Sequence, residues 1–214
     1  PGAIRSRLFL FPAALLLASV RGIIRRVCRS MRATTADKFI IVTNVRRLSM
    51  DWITRLDSPV GELTLASDGT ALTGLWIAGQ KHHSLGLEPG AREARLPVFE
   101  AAAGWLESYF AGERPDPGRL TLAPRGSEFR LSVWRKLLDI PSGELTTYGD
   151  IARRLGASAR AVGGAVGHNP ISIIIPCHRV IGANGKLTGY AAGLDVKLQL
   201  LRLEGRSEFF LEPT

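Results

Sequence analysis

Cysteine is scarce in this sequence, and its scarcity excludes two kinds of protein. The 214 residues include two cysteines, Cys28 and Cys177. Two cysteines cannot build a disulfide framework, and these two offer no spacing that is typical of metal ligands. Internal repeats and low-complexity tracts are also lacking. We therefore expect a globular protein of one large or two small domains in a reducing compartment.

Acidic residues are almost missing from residues 1–49, which hold ten Lys and Arg but one acid. The net charge of +9 therefore belongs to this segment, because residues 50–214 carry eighteen residues of each sign. Within that part, residues 50–125 have a net charge of −3 and residues 126–214 a net charge of +3. A polyanionic partner is therefore expected to contact the C-terminal half.

Residues 1–49 also lack a run long enough to span a membrane. Leu8 to Val20 is an apolar run of thirteen residues, whereas a spanning helix needs about 20. With Arg5 and Arg7 beside it, the run could be the core of a signal peptide or part of an organellar targeting segment. We favour a third interpretation, a mis-assigned start ahead of Met50, and expect an atypical extension that is disordered or foreign to the functional protein.

Residues 50–120 predict a small α/β domain. Turn signals separate three short strand-like runs, which predict an antiparallel meander of Trp52–Leu56, Gly61–Ser67 and Leu72–Ile77. A polar loop with two adjacent histidines follows, and we interpret these as solvated residues rather than metal ligands. Pro97 then begins a helix to about Phe110, with one apolar face of Val98, Ala102, Trp105, Leu106 and Tyr109.

Residues 124–208 predict a second, mainly helical domain. Capping residues mark helices over about 128–138, 148–155 and 159–167, and a last helix follows over 194–204. The first helix has a core stripe of Phe129, Val133, Trp134 and Leu137. Thr147 and Asp150 fit a capping box at the second helix. The second and third helices, joined by a tight turn with a glycine, have the outline of a helix-turn-helix.

The third helix has an unusual composition. Three of its residues, Gly163, Gly164 and Gly167, are glycines, and each costs about 1 kcal/mol relative to alanine inside a helix. Close packing against another helix is one explanation. The other is a smooth surface that lets a nucleic-acid backbone approach, with Arg160 as its only long side chain, and both can hold on different faces.

Residues 171–180 carry the candidate chemistry. Residues 171–175 are apolar and mostly β-branched, which predicts a short buried strand that ends at Pro176. Cys177 and His178 follow directly. A thiol becomes a strong nucleophile as the thiolate, and a nearby imidazole or cation favours that form. By itself, however, a lone cysteine at the end of a strand is more often a small buried apolar residue.

This stretch and the blocks around it resemble the O6-alkylguanine-DNA alkyltransferases, also called methylated-DNA–protein-cysteine methyltransferases. The resemblance covers about residues 50–208. It rests on six blocks in the same order, which are Thr147–Ala152, Ala159–Gly163, Asn169–Pro170, Pro176–Val180, Gly189–Ala191 and the helix that contains Lys197 and Glu204. It implies a fold of the α/β plus α class, with a ribonuclease-H-like α/β domain followed by a helix-turn-helix (winged-helix-like) DNA-binding domain.

The resemblance implies DNA repair by a suicide reaction. An alkyl group on O6 of guanine, or on O4 of thymine, is expected to be transferred irreversibly to Cys177. The protein would bind double-stranded DNA through the minor groove and flip the damaged nucleotide out of the stack, because its alkyl carbon is inaccessible inside a duplex. The product is a thioether, which does not exchange as a disulfide does, so each molecule would react once. No cofactor is implied, and the zinc ligands of some relatives have no counterpart here, so we expect no metal.

The resemblance also implies a role for each candidate site residue. Cys177 would be the nucleophile, and His178, through a water, and Glu204 would draw off its proton. Asn169 would brace the turn before the nucleophile, and Tyr148 would donate to the guanine as it leaves. The expected substrate- and DNA-binding residues are Arg160, which fills the gap in the stack, Tyr190, which stacks on the flipped base, Val180 and Ala191, whose main chains read its edges, and Lys197 and Arg179.

One departure from the family concerns pocket size. Ala192 stands where the family usually has a glycine, and its extra methyl group is expected to narrow the pocket and disfavour benzyl-sized adducts. For the assembly we expect a cytoplasmic monomer that contacts no membrane, since no long apolar helix face is left over for a partner.

Three other functions compete with alkyl transfer. A lesion-binding relative that recruits other proteins lacks the nucleophile, and Cys177 argues against it. A sequence-specific regulator needs several polar side chains on its recognition helix, whereas this helix offers Arg160. A cysteine hydrolase needs direct pairing of Cys177 with His178, and adjacent residues of an extended segment point to opposite faces.

Overall fold

The computed structural model describes residues 50–208, and the interpretations given for residues 1–49 lie outside this range. The helices are α1 (Pro97–Phe110), α2 (Glu128–Leu138), α3 (Tyr148–Leu155), α4 (Ala159–Gly167) and α5 (Leu194–Leu203). The strands are β1 (Trp52–Leu56), β2 (Leu63–Ser67), β3 (Leu72–Ile77), β4 (Arg92–Glu93), β5 (Thr146–Thr147) and β6 (Val180–Ile181). None of the helices in this range has the length and apolarity that a membrane crossing requires.

A four-stranded sheet in the order β3-β2-β1-β4 forms the first half of the described chain. The predicted meander is confirmed, because β2 pairs antiparallel with both β1 and β3. The short β4 pairs parallel with β1. It lies inside the segment predicted to be a polar loop, and its two exposed residues give no alternating pattern that could have revealed it.

Helix α1 has the predicted bounds and packs against β2. Its first position is Pro97, whose missing N–H is no loss at a helix start. The buried face consists of Phe99, Ala102, Trp105, Leu106 and Tyr109. Val98, which was predicted to lie on this face, is half-buried, and Phe99 takes its place in the core.

The second half contains the predicted helices with their predicted caps. Ser127 and Ser158 accept hydrogen bonds from N–H groups at the starts of α2 and α4. Thr147 and Asp150 form both bonds of the capping box that begins α3. Phe129 was wrongly predicted to lie in the core stripe of α2, because its side chain is 37% exposed. Helices α3 and α4 contact each other and keep the helix-turn-helix outline.

The apolar run of residues 171–175 is a turn, so the prediction of a buried strand is wrong. Its chain reverses, with the N–H of Ile175 bonded to the carbonyl oxygen of Ile171 at 3.0 Å. Ile173 has a φ of +68°, which is unusual for a β-branched residue. All five residues are buried, and burial on every side selects apolar residues whatever the local conformation. The next three residues, Cys177–Arg179, form a short 3₁₀ turn.

The edge of β3 holds this buried turn against the sheet. The N–H of Leu75 donates to the carbonyl of Pro170 at 2.8 Å, and the N–H of Ser172 donates to the carbonyl of Leu75 at 2.9 Å. The buried Gln80 side chain accepts a hydrogen bond from the Ser172 hydroxyl at 3.1 Å. One continuous apolar core therefore joins the sheet, α1 and the helices of the second half.

Candidate active site

Cys177 lies at the start of the 3₁₀ turn and at the wall of a small pocket. Its side chain is almost completely buried. The pocket has a cavity volume of about 40 Å³, which is small beside the 300–1,000 Å³ that are usual for sites of drug-sized ligands. Four other residues singled out from the sequence also line it, and these are Tyr148, Asn169, Tyr190 and Ala191.

The Asn169 side chain connects the thiol to the buried turn. Its Nδ2 atom lies 3.1 Å from the Cys177 sulfur and donates to the carbonyl of Ile175 at 2.8 Å. Its Oδ1 atom accepts from the N–H of Ile171 at 3.0 Å. Burial raises the pKa of the Cys177 thiol, while the Asn169 amide and the charge of Lys197 act in the opposite direction. The resting residue is therefore a thiol that needs a base before it can attack.

His178 is completely buried and is bonded to Glu204. The distance from its Nε2 atom to Oε1 of Glu204 is 2.7 Å. Burial lowers the pKa of His178, and the hydrogen bond and charge of Glu204 offset this in part. The imidazole is therefore neutral at pH 7. An ionised carboxylate can only accept, so the hydrogen is on Nε2 and the lone pair is on Nδ1. That Nδ1 atom is buried and has no hydrogen-bond partner in the protein.

The carboxylate of Glu204 accepts hydrogen bonds from five donor atoms. They are His178 Nε2, Tyr109 OH, the Nε and Nη2 atoms of Arg179, and the N–H of Gly143. Burial favours the protonated acid, but the bonds from His178 and Arg179 outweigh burial and hold the pKa of Glu204 well below its usual range. This carboxylate therefore stays ionised and is a poor proton acceptor.

The side chains of Arg179 and Lys197 are buried, which corrects the expectation that they contact DNA or substrate. Arg179 donates hydrogen bonds to Glu204 and to the carbonyl of Ile140. Lys197 is fully buried, and its Nζ atom donates to the carbonyls of Val180 and Thr188 at 2.6 and 2.9 Å. Burial lowers the pKa of Lys197 to about 8. Both cations thus act inside the protein, where they balance the charges of Glu204 and of a Cys177 thiolate.

The main-chain groups expected to read a base differ in availability. The N–H of Val180 bonds to the carbonyl of Cys177, and its own carbonyl accepts from Lys197, so both groups already have partners. Ala191 lines the pocket, and its carbonyl accepts from the N–H of Lys81 at 2.8 Å. Ala192 follows the last lining residue, and its effect on benzyl-sized adducts stays a prediction.

Three further candidate residues lie around the pocket mouth and on the neighbouring surface. Tyr148 is the first residue of α3 and is half-buried, and burial raises the pKa of its phenol. Burial raises the pKa of Tyr190 well above its usual value, and the neighbouring Cys177 sulfur raises it further. Arg160, near the start of α4, is exposed. Both phenols are therefore neutral hydrogen-bond donors at pH 7.

The glycines of α4 are not explained by close helix packing. A Cβ atom at Gly164 or Gly167 would meet nothing within 4 Å, and one at Gly163 would lie 3.8 Å from the Tyr148 ring. The packed face of α4 consists instead of Val162, Ala165 and Val166. Gly163 and Gly167 line the pocket and Gly164 is exposed, so the glycines leave room on the pocket side of the helix and at one point of its exposed face.

The structure also brings residues to the site that the sequence did not reveal. Tyr109 on α1 donates to Glu204 at 2.8 Å. Ser172 lines the pocket and is held by Gln80, which follows β3. An aromatic residue on an apolar helix stripe is typical of a core, so the pattern around Tyr109 carries no catalytic signal.

Between residues 50 and 208, no three side chains of His, Cys, Asp or Glu lie close enough together to hold a metal ion. The adjacent His82 and His83 are exposed. Whether the protein works without a metal stays a prediction.

Two family models match the chain. The model described as 6-O-methylguanine DNA methyltransferase, ribonuclease-like domain, matches residues 53–124. The model described as 6-O-methylguanine DNA methyltransferase, DNA binding domain, matches residues 128–206. The expected order of a ribonuclease-H-like α/β domain and a helical DNA-binding domain is thereby confirmed, while the exact boundaries of 50–120 and 124–208 stay predictions.

Curated relatives and solved structures agree with these matches. A methylated-DNA–protein-cysteine methyltransferase of Methanosarcina acetivorans is 49% identical over 152 residues, which are 70% of this chain and 95% of the relative. The crystal structure of Mycobacterium tuberculosis O6-methylguanine methyltransferase superposes with a TM-score of 0.63 at 45% identity, covering 76% of this chain and 97% of that one. A second structure, Mycobacterium tuberculosis OGT in complex with DNA, has a TM-score of 0.60 at 49% identity and covers 72% and 91%. This chain belongs to the 6-O-methylguanine DNA methyltransferase family.

Proposed function

We propose that this protein repairs DNA by transferring the methyl group, or another alkyl group, from O6 of guanine to its own Cys177. The observation that carries the proposal is a buried thiol at a pocket wall, with an amide donor on its sulfur and a neutral histidine and an ionised carboxylate behind it. The relatives named methylated-DNA–protein-cysteine methyltransferases support it.

The first step is removal of the thiol proton. The free lone pair on His178 Nδ1 is the only acceptor on the relay that lacks a partner, and a water between it and the sulfur would carry the proton. The charge of Lys197 favours the thiolate that results. The Asn169 amide stabilises the same anion by donating to the sulfur.

The proton stays on the imidazole and does not move to Glu204. Five donors surround that carboxylate, so protonating it would leave some of them without an acceptor. Glu204 instead fixes the tautomer of His178 and stabilises the imidazolium. The carboxylate of a Ser-His-Asp triad has the same role.

The second step is displacement at the alkyl carbon. The thiolate attacks this carbon, a C–S bond forms, and the C–O6 bond breaks with its electron pair left on guanine. Tyr148 lines the same pocket, and its neutral phenol donates to the leaving base and lowers the barrier. The base gains one proton as it leaves, and the proton taken from Cys177 replaces it in the protein. The side chains are then neutral again, and the products are guanine and an S-alkylcysteine.

The product explains why the protein acts once. A thioether is not opened by another thiol as a disulfide is, and Cys177 is the one free cysteine within residues 50–208. Repair is therefore stoichiometric. A cytoplasmic location would keep the thiol reduced before it meets its substrate.

Contact with DNA is proposed for the outer face of α4. A Cβ atom at Gly164 or Gly167 would meet nothing, so a backbone can approach this helix closely, and the exposed Arg160 enters from the minor groove and fills the gap that the flipped nucleotide leaves in the stack. Tyr190 supplies an aromatic face beside the pocket. Because the cavity holds about 40 Å³, the loop of residues 189–193 has to move outward to admit a base. O4-alkylthymine is proposed as a second substrate, and the acting species as a monomer.

The test is to map the alkyl group after reaction. The full chain is incubated with duplex DNA that contains one O6-methylguanine and is then digested with a protease. The masses of its peptides are measured by mass spectrometry. The proposal expects a gain of one methylene group on the peptide with Cys177 and none on any other peptide. A Cys177→Ser variant should bind the same duplex without gaining mass. Methylation elsewhere, or binding without methylation in the wild type, would reject the proposal in favour of a lesion-binding protein.

A further inference from the structure

Tyr109 belongs to α1, in the half of the protein where the sequence shows no catalytic group. Its side chain is 2% exposed and reaches out of the first domain to the relay of the second. The hydroxyl donates to Oε1 of Glu204 at 2.8 Å and lies 3.5 Å from Nε2 of His178. We propose that Tyr109 is a positioning residue that sets the orientation and the basicity of His178 through Glu204. This inference rests on the proposed function, in which His178 is the base.

The ring of Tyr109 is held in place on two sides. Trp105 stacks on it with ring centroids 5.5 Å apart and an interplanar angle of 9°. Phe110 meets it edge-on at 5.4 Å and 73°. Such contacts leave the ring little freedom, so the hydroxyl is presented at a fixed point. The orientation of the relay is thereby coupled to helix α1.

The hydroxyl influences both members of the relay. It donates its single hydrogen to Oε1 of Glu204, the oxygen that also accepts from His178 Nε2 and from Arg179 Nη2. This bond withdraws negative charge from Oε1 and so limits how strongly Glu204 raises the proton affinity of His178. The hydroxyl oxygen also lies 3.5 Å from Nε2, the atom whose hydrogen is bonded to Oε1 at 2.7 Å, so the tyrosine is close enough to both groups to fix how the ring and the carboxylate meet.

Four other groups act on His178 and remain when the hydroxyl is removed. Glu204 raises the pKa of His178, whereas Arg179 and Lys197 lower it. Cys177, the preceding residue, is a neutral thiol in the resting protein. A Tyr109→Phe variant keeps four of the five donors on Glu204. A change in the basicity of His178 in this variant is therefore due to the lost tyrosine hydroxyl alone.

The expected result is a shift of the acid limb of the pH–rate profile, which is the range in which the rate falls as the pH is lowered. Without the hydroxyl, Oε1 interacts more strongly with His178, and the imidazolium is stabilised. His178 then becomes protonated, and unable to accept, at a higher pH. The shift should be on the order of one pH unit, as is usual for one hydrogen bond to a charged group. A residue that only packs would lower the rate without moving the limb.

The experiment measures the single-turnover rate constant of methyl transfer from duplex DNA at saturating concentration between pH 5 and 8. For Tyr109→Phe we expect the acid limb of the pH–rate profile to lie about one pH unit higher than in the wild type. The half-saturating DNA concentration should stay as in the wild type. Phe99→Leu is the matched control, because it removes another buried ring from the same face of α1 and keeps both the hydroxyl and the two ring contacts of Tyr109. It should lower the melting temperature and leave the limb in place. An unmoved limb in Tyr109→Phe, or an equal shift in both variants, would overturn the proposal.

A second measurement follows His178 directly. The ¹⁵N chemical shifts of His178, recorded over the same pH range, should give a higher pKa in Tyr109→Phe than in the wild type, and an equal pKa in both proteins would overturn the proposal. Failure of the proposed function has a different result, since the wild type would then transfer no methyl group to Cys177. The two outcomes are therefore distinguishable.

Discussion

Replacement of Arg179 by methionine should destabilise the protein by about 3–5 kcal/mol at pH 7, as expected when one partner of a buried ion pair is removed. The side chains of Arg179 and Glu204 are 8% and 2% exposed. Arg179 donates to both carboxylate oxygens at 2.9 Å and also to the carbonyl of Ile140. The variant leaves a buried carboxylate with three donors in place of five. Because a domain of this size has about 5–15 kcal/mol of stability in total, the effect is easy to measure.

The assay is urea unfolding followed by tryptophan fluorescence, at pH 7 and at pH 3. The folded-state pKa of Glu204 is held below its ordinary value of 4.5, so its ionised form contributes stability above that pH, and this contribution is lost as the pH falls. The difference between wild type and Arg179→Met should therefore shrink at pH 3. A double variant, Arg179→Met with Glu204→Gln, should recover part of the loss, and exposed Arg119→Met should stay within about 0.5 kcal/mol of the wild type. A cost below about 1 kcal/mol at pH 7, or an equal cost at both pH values, would refute the assignment of a charged buried pair.

Three predictions concern the reaction itself. Lys197→Met should slow methyl transfer at pH 7 by about tenfold for each unit by which the pKa of the thiol rises. It should also abolish the decline in rate that is expected in the wild type above about pH 8, where Lys197 loses its charge. A wild-type rate that rises steadily to pH 10 would contradict this. Asn169→Ala removes the donor on the sulfur and three bonds to the turn, so rate and melting temperature should both fall, whereas a fall in the melting temperature alone would deny it a role in the chemistry. Arg160→Ala should slow transfer from duplex DNA far more than from single-stranded DNA, where no base has to be extruded; equal effects on both, or an equal effect of the control Arg154→Ala, would count against a gap-filling role.

Local sequence signals predicted the helices of the second half well. Ser127, the Thr147–Asp150 capping box and Ser158 mark three helix starts within the described residues, and all three are observed. These signals succeed because a cap satisfies backbone N–H groups of its own helix and depends little on the rest of the fold. The bounds of α1 follow in the same way from Pro97 and the apolar stripe behind it.

Burial and long-range contacts account for what the sequence could not predict. The run of residues 171–175 is buried on all sides, so its composition does not distinguish a turn from a strand. The resemblance placed Arg179 and Lys197 among the residues that bind substrate or DNA, yet each is buried with internal acceptors. Tyr109 contacts Glu204 across 95 positions. Contacts over such separations leave no periodic trace in a single sequence.

Cys177 is expected to accept one alkyl group and then to be consumed. The most direct measurement is the intact mass of the full chain, followed over time with a tenfold excess of duplex DNA that contains O6-methylguanine. We expect the mass to rise by one methylene group and the restored guanine to reach one equivalent per protein, with no further change in either. Continued repair beyond one equivalent, or repair without a gain in protein mass, would contradict it.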